Sequence, residues 1–494
     1  MSKRIDLSRR EFLLNASLMS AAGSVAAPFA LNLFAMNVAA ASTLTTDYKA
    51  LVCIFLAGGN DHNNTVIATD TNSWTGYLAA RNIGGGATIA LPQANLLTIA
   101  PTTPKIDSVG TRSFALHPGM TPMKTLFDAG RAAIIANVGP LVVPIPDKVA
   151  YRNSAYQKPT NLFSHSDQTA QWNSTNPLKK NYGWGGRMAD QIKTSNTAQN
   201  FTCLSLSGNT AFLAGETINQ YQINANGTPV AVSGFNNLFG SSGNHLEPII
   251  KTASSSNMFE IEHAAVVQRA INAQADLSTV MSQTGATVVA APAQYTNPAT
   301  GLLATNQLAV QLQTVARIIA GRNTLGAHRQ VFFVTLGGFD THDGQAPAHA
   351  NLMARLSHAV EYFDTTLATL FDTNAGTTSD MRSSVTTFTA SDFGRTFTSN
   401  GDGTDHGWGS HHFVVGGAVK GKEIYGTFPM TAVTNTAAGI DNPLDVGSGN
   451  FIPQISVDQY AGTLAKWFGL SAAEISAVFP NLANFTTQDL GFLL

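Results

Sequence analysis

The sequence predicts an α/β protein, a three-layer α/β/α sandwich around a mostly parallel central sheet. Three observations predict it. The apolar runs are continuous rather than alternating, as in strands buried on both faces of a parallel sheet. They alternate with amphipathic helical stretches, the order that βαβ units produce. Three of these runs end alike, in small residues followed by a carboxylate, and in open α/β sheets ligands bind outside the carboxyl ends of the strands.

Taken in order, "YKALVCIFLAGG" reads as a buried strand. "MTPMKTLFDAG" has helical spacing and stops at Gly130, a residue that suits a helix C-terminus. "AAIIANVG" and "FTCLSLSG" are strands. "EHAAVVQRAINAQADLSTVMSQ" and "NQLAVQLQTVARIIAG" are amphipathic helices. "RQVFFVTLGG" is a strand, "PAHANLMARLSHAVEYFDTTLATLFD" a long helix, "SVTTFTAS" and "HFVVGGAV" strands, and "VDQYAGTLAKWFG" a late helix. From about Gly215 to Asn257 the chain is rich in Asn, Gly and Ser and lacks strong periodicity; it reads as a loop-rich insertion. There is no internal repeat.

The composition excludes several classes. With 494 residues, 44% of them hydrophobic, the chain can bury a sizeable core. A net charge of −2 and the lack of a basic stripe argue against nucleic acid as a partner. Cys53 and Cys203 each lie in a strand-like stretch and read as small buried hydrophobes, not a disulfide framework. At the N-terminus, "SRREFLL" places paired arginines before an Ala-rich apolar stretch ending in "NVAAAS". This resembles a twin-arginine export signal over residues 1–41, cleaved after Ala41. It implies the twin-arginine export machinery as a partner and a periplasmic or secreted mature chain from residue 42 to 494. Asn15, Ser17, Pro28 and the small-residue ending disfavour a membrane anchor, and no later segment is apolar for long enough to span a bilayer.

The three similar strand ends carry Asp61, then Asp340 with His342, then Asp392. If the strands are parallel neighbours, these carboxylates converge, and converging carboxylates repel unless a positive charge lies between them. Asp and His ligands without Cys favour a divalent ion: Zn, Mn, Mg or Ca. Asp340 and His342 share a side of the chain if the backbone is extended there. The stretch after Asp392, "FGRTFTSNGDGTDHGWGSHHF", adds Asp405, His406, His411 and His412. Lone histidines such as His117, His328, His349 and His358 read as structural.

The segments "LAGGNDHNN", "FALHPGMTPMKTLFDAGRAAIIANVG", "FSHSDQTAQW", "YGWGGRMADQI", "TLGGFDTHDGQ", "SDFGRT" and "GTDHGWGSHHFVVGGAVKGKEIYG", in that order, resemble the DUF1501 family of exported bacterial proteins, itself related to the alkaline phosphatase and sulfatase superfamily. The resemblance implies an alkaline phosphatase-like sandwich with a metal-binding site at the strand C-termini. It implies metal ligands at Asp61, Asp340, His342, Asp392 and His406. Ser164 falls at the nucleophile's position, with Ser166 second. The superfamily has a His directly after the third Asp; here Phe393 follows Asp392, and the resemblance implies His406 either as its replacement from the following loop or as the last metal His. His165 is a metal ligand or general acid, and Arg395 suits a phosphate or sulfate oxyanion because guanidinium grips it with two bonds.

The expected function is therefore an exported metal-dependent hydrolase of phosphate or sulfate esters, its substrate a small anionic ester or a polymer. The rival is a non-catalytic exported metal-binding protein that holds a polymer or partner protein. A dinucleotide enzyme lacks its G-x-G-x-x-G after the first strand, and a nucleophile-elbow hydrolase lacks G-x-S-x-G.

Overall fold

The first strand shows why the apolar runs are continuous. Ala50, Val52, Ile54 and Leu56 point into one core, while Leu51, Cys53 and Phe55 point into a second core on the opposite face. Side chains alternate along a strand, so a strand covered on both faces has no polar side. The computed structural model describes residues 47–82, 88–107, 110–175, 181–228, 257–282, 288–371, 380–435 and 440–494. The export segment and most of the expected insertion lie outside the described residues.

Nine strands form the main sheet: β1 (Lys49–Ala57), β2 (Ala132–Gly139), β3 (Cys203–Ser205), β4 (Tyr221–Gln222), β5 (Arg329–Gly337), β6 (Val385–Ser391), β7 (Ser410–Val415), β8 (Ile424–Tyr425) and β9 (Ile455–Ser456). Their spatial order is β8-β2-β7-β6-β1-β5-β3-β4, with β9 also paired to β2. Pairing is parallel except for β7, which runs antiparallel to β2 and to β6. The reason lies in the connection: β6 leads to β7 through a loop and a short hairpin (Arg395–Ser399 with Thr404–His406), with no helix to carry the chain back across the sheet as a parallel pair requires. The strand β4 falls within the stretch expected to be an insertion and extends the sheet's edge.

Among the described residues, the helices of seven residues or more are α1 (Thr71–Arg81), α2 (Thr121–Asp128), α3 (His165–Ser174), α4 (Trp184–Ile192), α5 (Met258–Met281), α6 (Gln307–Ala320), α7 (Gln345–Ala368), α8 (Val457–Phe468) and α9 (Ala472–Val478), with one further short helix at Lys148–Arg152. One core takes side chains from α2, α5, α6 and α7. The other takes them from α4, α8 and Trp172 of α3. Among the described residues, no helix is long and apolar enough to cross a membrane. Both cysteines are free and buried.

The element that organises the site is the side-by-side ending of β1, β5 and β6. Register pairs Leu56 with both Leu336 and Ser391, and Ala57 with Gly337. Just beyond, Gly58 has φ +115, a conformation L side chains rarely adopt, and a Cβ there would lie 2.4 Å from the Asp340 backbone nitrogen. Only glycine lets the end of β1 pass this close. We predict that Gly58→Ala lowers the unfolding free energy by about 3 kcal/mol through combined backbone strain and overpacking, measured by urea denaturation.

Candidate metal centre

Asp340 leaves the end of β5 and is the focus of the site. Its Oδ1 lies 2.9 Å from Arg395 Nη1, 3.2 Å from His342 Nε2, 3.5 Å from His165 Nε2 and 3.6 Å from His406 Nε2. Partial burial pushes this carboxyl up, but the hydrogen bond and charge of Arg395 outweigh it and hold Asp340 below the usual carboxylate range. It is ionised at neutral pH.

The other nitrogen of each imidazole fixes what the inner one offers. His165 Nδ1 is 2.6 Å from Asp392 Oδ2, whose carboxylate also accepts the Gly58 N–H. His406 Nδ1 is 2.8 Å from the Phe163 carbonyl. His342 Nδ1 is 3.2 Å from Asp405 Oδ1. All three partners of Nδ1 offer acceptor oxygens, an arrangement that suits the tautomer with its proton on Nδ1 and a lone pair turned inward at Nε2. Burial lowers the pKa of His406, favouring its neutral form. The consequence is sharpest between His342 and His406, whose Nε2 atoms are 2.9 Å apart: a proton or a cation must lie between two such acceptors. His165 Nε2 is buried with no hydrogen-bond partner.

These residues fit a divalent ion. Ligand atoms of His165, Asp340 and His406 all lie within 4.8 Å of one another, with His342 beside the latter two. Nitrogen and carboxylate ligands sit about 2.0–2.2 Å from zinc, so tetrahedral neighbours are about 3.4 Å apart. The spacings around Asp340 Oδ1, between 3.2 and 3.6 Å, bracket that value. A set of imidazoles with one carboxylate suits Zn or Mn better than Mg or Ca, which prefer oxygen throughout.

The segments that deliver these groups are shaped for it. Ser164 caps α3 by accepting the Asp167 N–H, which places His165 in the first turn. Phe163, just before the cap, has φ +69, a costly conformation for an aromatic residue, and its carbonyl is the one that orients His406. Arg395 opens the hairpin after β6. Its side chain is fully buried. Besides Asp340 it donates to the Thr404 hydroxyl and carbonyl and to the Gly58 carbonyl.

Of the residues expected as ligands, Asp340, His342 and His406 come together, joined by His165. Asp392 stands behind His165 and orients its ring. Asp61 is not brought to the cluster. It is fully buried and bridged by Arg81, whose Nη2 is 2.9 Å from Oδ1 and whose Nη1 meets Oδ2; the Gln345 amide also donates to it. Arg395, expected at an oxyanion, has no exposed side-chain surface and anchors Asp340 instead. Ser164 commits its hydroxyl to Asp167 Oδ2 at 2.7 Å. His411 and His412 sit in β7 as core residues: His411 Nδ1 accepts the Asn137 N–H at 3.0 Å, and His412 stacks on Tyr460. Arg81, Gln345 and Thr404 had no signal in the sequence, since each is an ordinary residue in a helix or a short strand.

A mostly parallel α/β sheet bearing an imidazole and carboxylate cluster at its strand ends defines the class of protein. The family described as "Protein of unknown function (DUF1501)" matches residues 48–443, and the chain belongs to it. No curated protein matches the chain.

Asp61 gives a test independent of any ion. Burial pushes its carboxyl up; the Arg81 charge and hydrogen bonds outweigh this and hold it at about 2. That lies below the unfolded value of about 3.9. The pair's stabilisation is therefore fully present above pH 4 and lost as pH falls towards 2. We predict that Arg81→Met costs about 3 kcal/mol at pH 7, because it leaves a buried carboxyl unpaired. It also removes Asp61's share of the stability decline between pH 4 and 2, read from denaturation curves across pH.

Proposed function

We propose that this protein is an exported metal-dependent hydrolase of phosphate or sulfate esters, built on an alkaline phosphatase-like sandwich. One observation carries the reading: three imidazoles, each with Nδ1 set against an outer acceptor, turn Nε2 toward one carboxylate, Asp340. Acceptors are costly to gather without a cation among them. His165, Asp340, His342 and His406 would hold the ion, with Asp392, Asp405 and the Phe163 carbonyl orienting the rings, as outer groups do around metal-bound histidines. When bound, such an ion makes a water nucleophilic at neutral pH and polarises the ester's oxygen.

The chain's own residues do the rest. Asp340 is fixed by Arg395, so the ligand geometry is held before any substrate arrives. In the hydrolysis, the water oxygen bonds to phosphorus or sulfur as the bond to the alcohol oxygen breaks, and the proton the water gives up ends on the departing alcohol. Ser164 acts as the helix cap, since its hydroxyl proton is already given to Asp167. The rival reading, a metal site without turnover, shares every feature except the cleavage.

Metal analysis of the purified mature protein is expected to find a bound divalent ion, reduced to background in His406→Ala and in Asp340→Asn. Asp392→Asn is expected to weaken metal affinity about 10–100-fold while the fold persists. A folded wild-type protein that binds no divalent ion overturns the metal centre; bound metal without cleavage of any ester on a broad panel leaves the non-catalytic rival. Ser164→Ala is expected to cost about 1 kcal/mol of stability and to retain turnover. Complete loss of turnover in a folded, metal-loaded Ser164→Ala protein would make Ser164 the nucleophile.

A further inference from the structure

The proposed reaction leaves open which anionic esters the centre accepts, and the charges around it bear on that choice. The segments that build the site, residues 58–64, 161–168, 340–345 and 392–407, contain Asp61, Asp167, Asp340, Asp343, Asp392, Asp402 and Asp405 but only one Lys or Arg, namely Arg395. That arginine cannot meet a substrate, because its side chain has no exposed surface and its fork is spent on Asp340, Gly58 and Thr404. Arg81, the next guanidinium inward, is equally buried on Asp61. Lys158, in the loop before α3, donates to the carbonyls of Tyr151 and Asn153 and lies over the Tyr151 ring.

The groups facing solvent at the mouth are acidic instead. Asp340 is 49% exposed and Asp405 60% exposed in their side chains, and Asp343 is exposed beside them. With a divalent ion in place, its charge and that of Arg395 only balance Asp340, Asp392 and Asp405. A substrate group bearing one negative charge meets a neutral centre. A second negative charge finds no free side-chain cation in the segments that build the site and meets the carboxylate rim, where like charges a few ångströms apart repel.

Resting on the hydrolase reading, we infer that the centre selects esters whose tetrahedral group carries a single negative charge, a sulfate monoester or a phosphate diester, over the doubly charged phosphate monoester.

The test uses the full mature protein loaded with cobalt(II), whose visible absorption reports anions at the metal without any turnover. At pH 8, titration with methyl sulfate and with dimethyl phosphate is compared with titration by methyl phosphate. The singly charged ligands are expected to bind about tenfold more tightly, and p-nitrophenyl sulfate or bis(p-nitrophenyl) phosphate to be cleaved in preference to p-nitrophenyl phosphate. In Asp405→Asn, which keeps an acceptor for His342 while removing one rim charge, the preference is expected to shrink about threefold. Equal or tighter binding of methyl phosphate overturns the inference, as does an unchanged preference in Asp405→Asn. Cobalt binding with the expected anion order but no cleavage sinks the hydrolase reading while the charge selection stands. Failure to bind cobalt removes both.

Discussion

The site depends on one buried guanidinium. Arg395 is enclosed by the ends of β1 and β5 and by its own hairpin, where an uncompensated charge would be prohibitive. Its compensation is a continuous polar relay. Arg395 Nε donates to the Thr404 hydroxyl at 2.9 Å, Thr404 donates to Gln345 Oε1 at 2.6 Å, and Gln345 Nε2 donates to Asp61, which Arg81 closes from the other end. At its outer end the same guanidinium grips Asp340. Two cations and two carboxylates from four separate segments thereby satisfy one another, and the ligand that faces the cluster inherits the rigidity of the core.

This explains why the group with the most exposed position in the cluster can still be precisely held. Asp340 sits on a turn rich in glycine, where the backbone alone would fix little. Arg395 fixes it from beneath, as Asp392 fixes His165 and the strained Phe163 carbonyl fixes His406. In each case the contact that orients lies on the side away from the cluster and the free electron pair lies on the side towards it. The division is like that between metal ligands and the outer groups that support them, and here the outer members make up much of what holds the inner geometry.

Much of this was legible in the sequence, for a physical reason. Strands buried on both faces must be apolar throughout, so β1, β2, β5 and β6 announce themselves, and the amphipathic helices between them enforce parallel pairing. Asp340 with His342 was legible as a strand end, and His406 as part of the His-rich stretch after Asp392. The antiparallel β7 was not legible, because its direction is decided by what the preceding loop does, not by the strand's own residues. Asp61 illustrates the remaining gap. A carboxylate after a strand reads identically whether its counter-charge is an ion or an arginine, and Arg81 lies twenty residues away in a helix that carries no motif. His165 was visible as chemistry but open as to role, which only the orientation of its ring could decide.

The same geometry ties the site back to the fold. The cluster's four members come from α3, from the loop after β5 and from the hairpin between β6 and β7, and the buried Phe393 ring packs against both His165 and His406. Facing acceptors push these segments apart unless a positive charge lies between them, and the Nε2 atoms of His342 and His406 are 2.9 Å apart. An ion bound here would join all three segments, and the free energy of its binding would add to the stability of their mutual docking. The loop that breaks the parallel order of the sheet is held by its own buried aromatics, Phe393, Phe397 and Trp408, and by backbone and side-chain bonds to Gly58 and Thr341, and the site is built on that anchored loop.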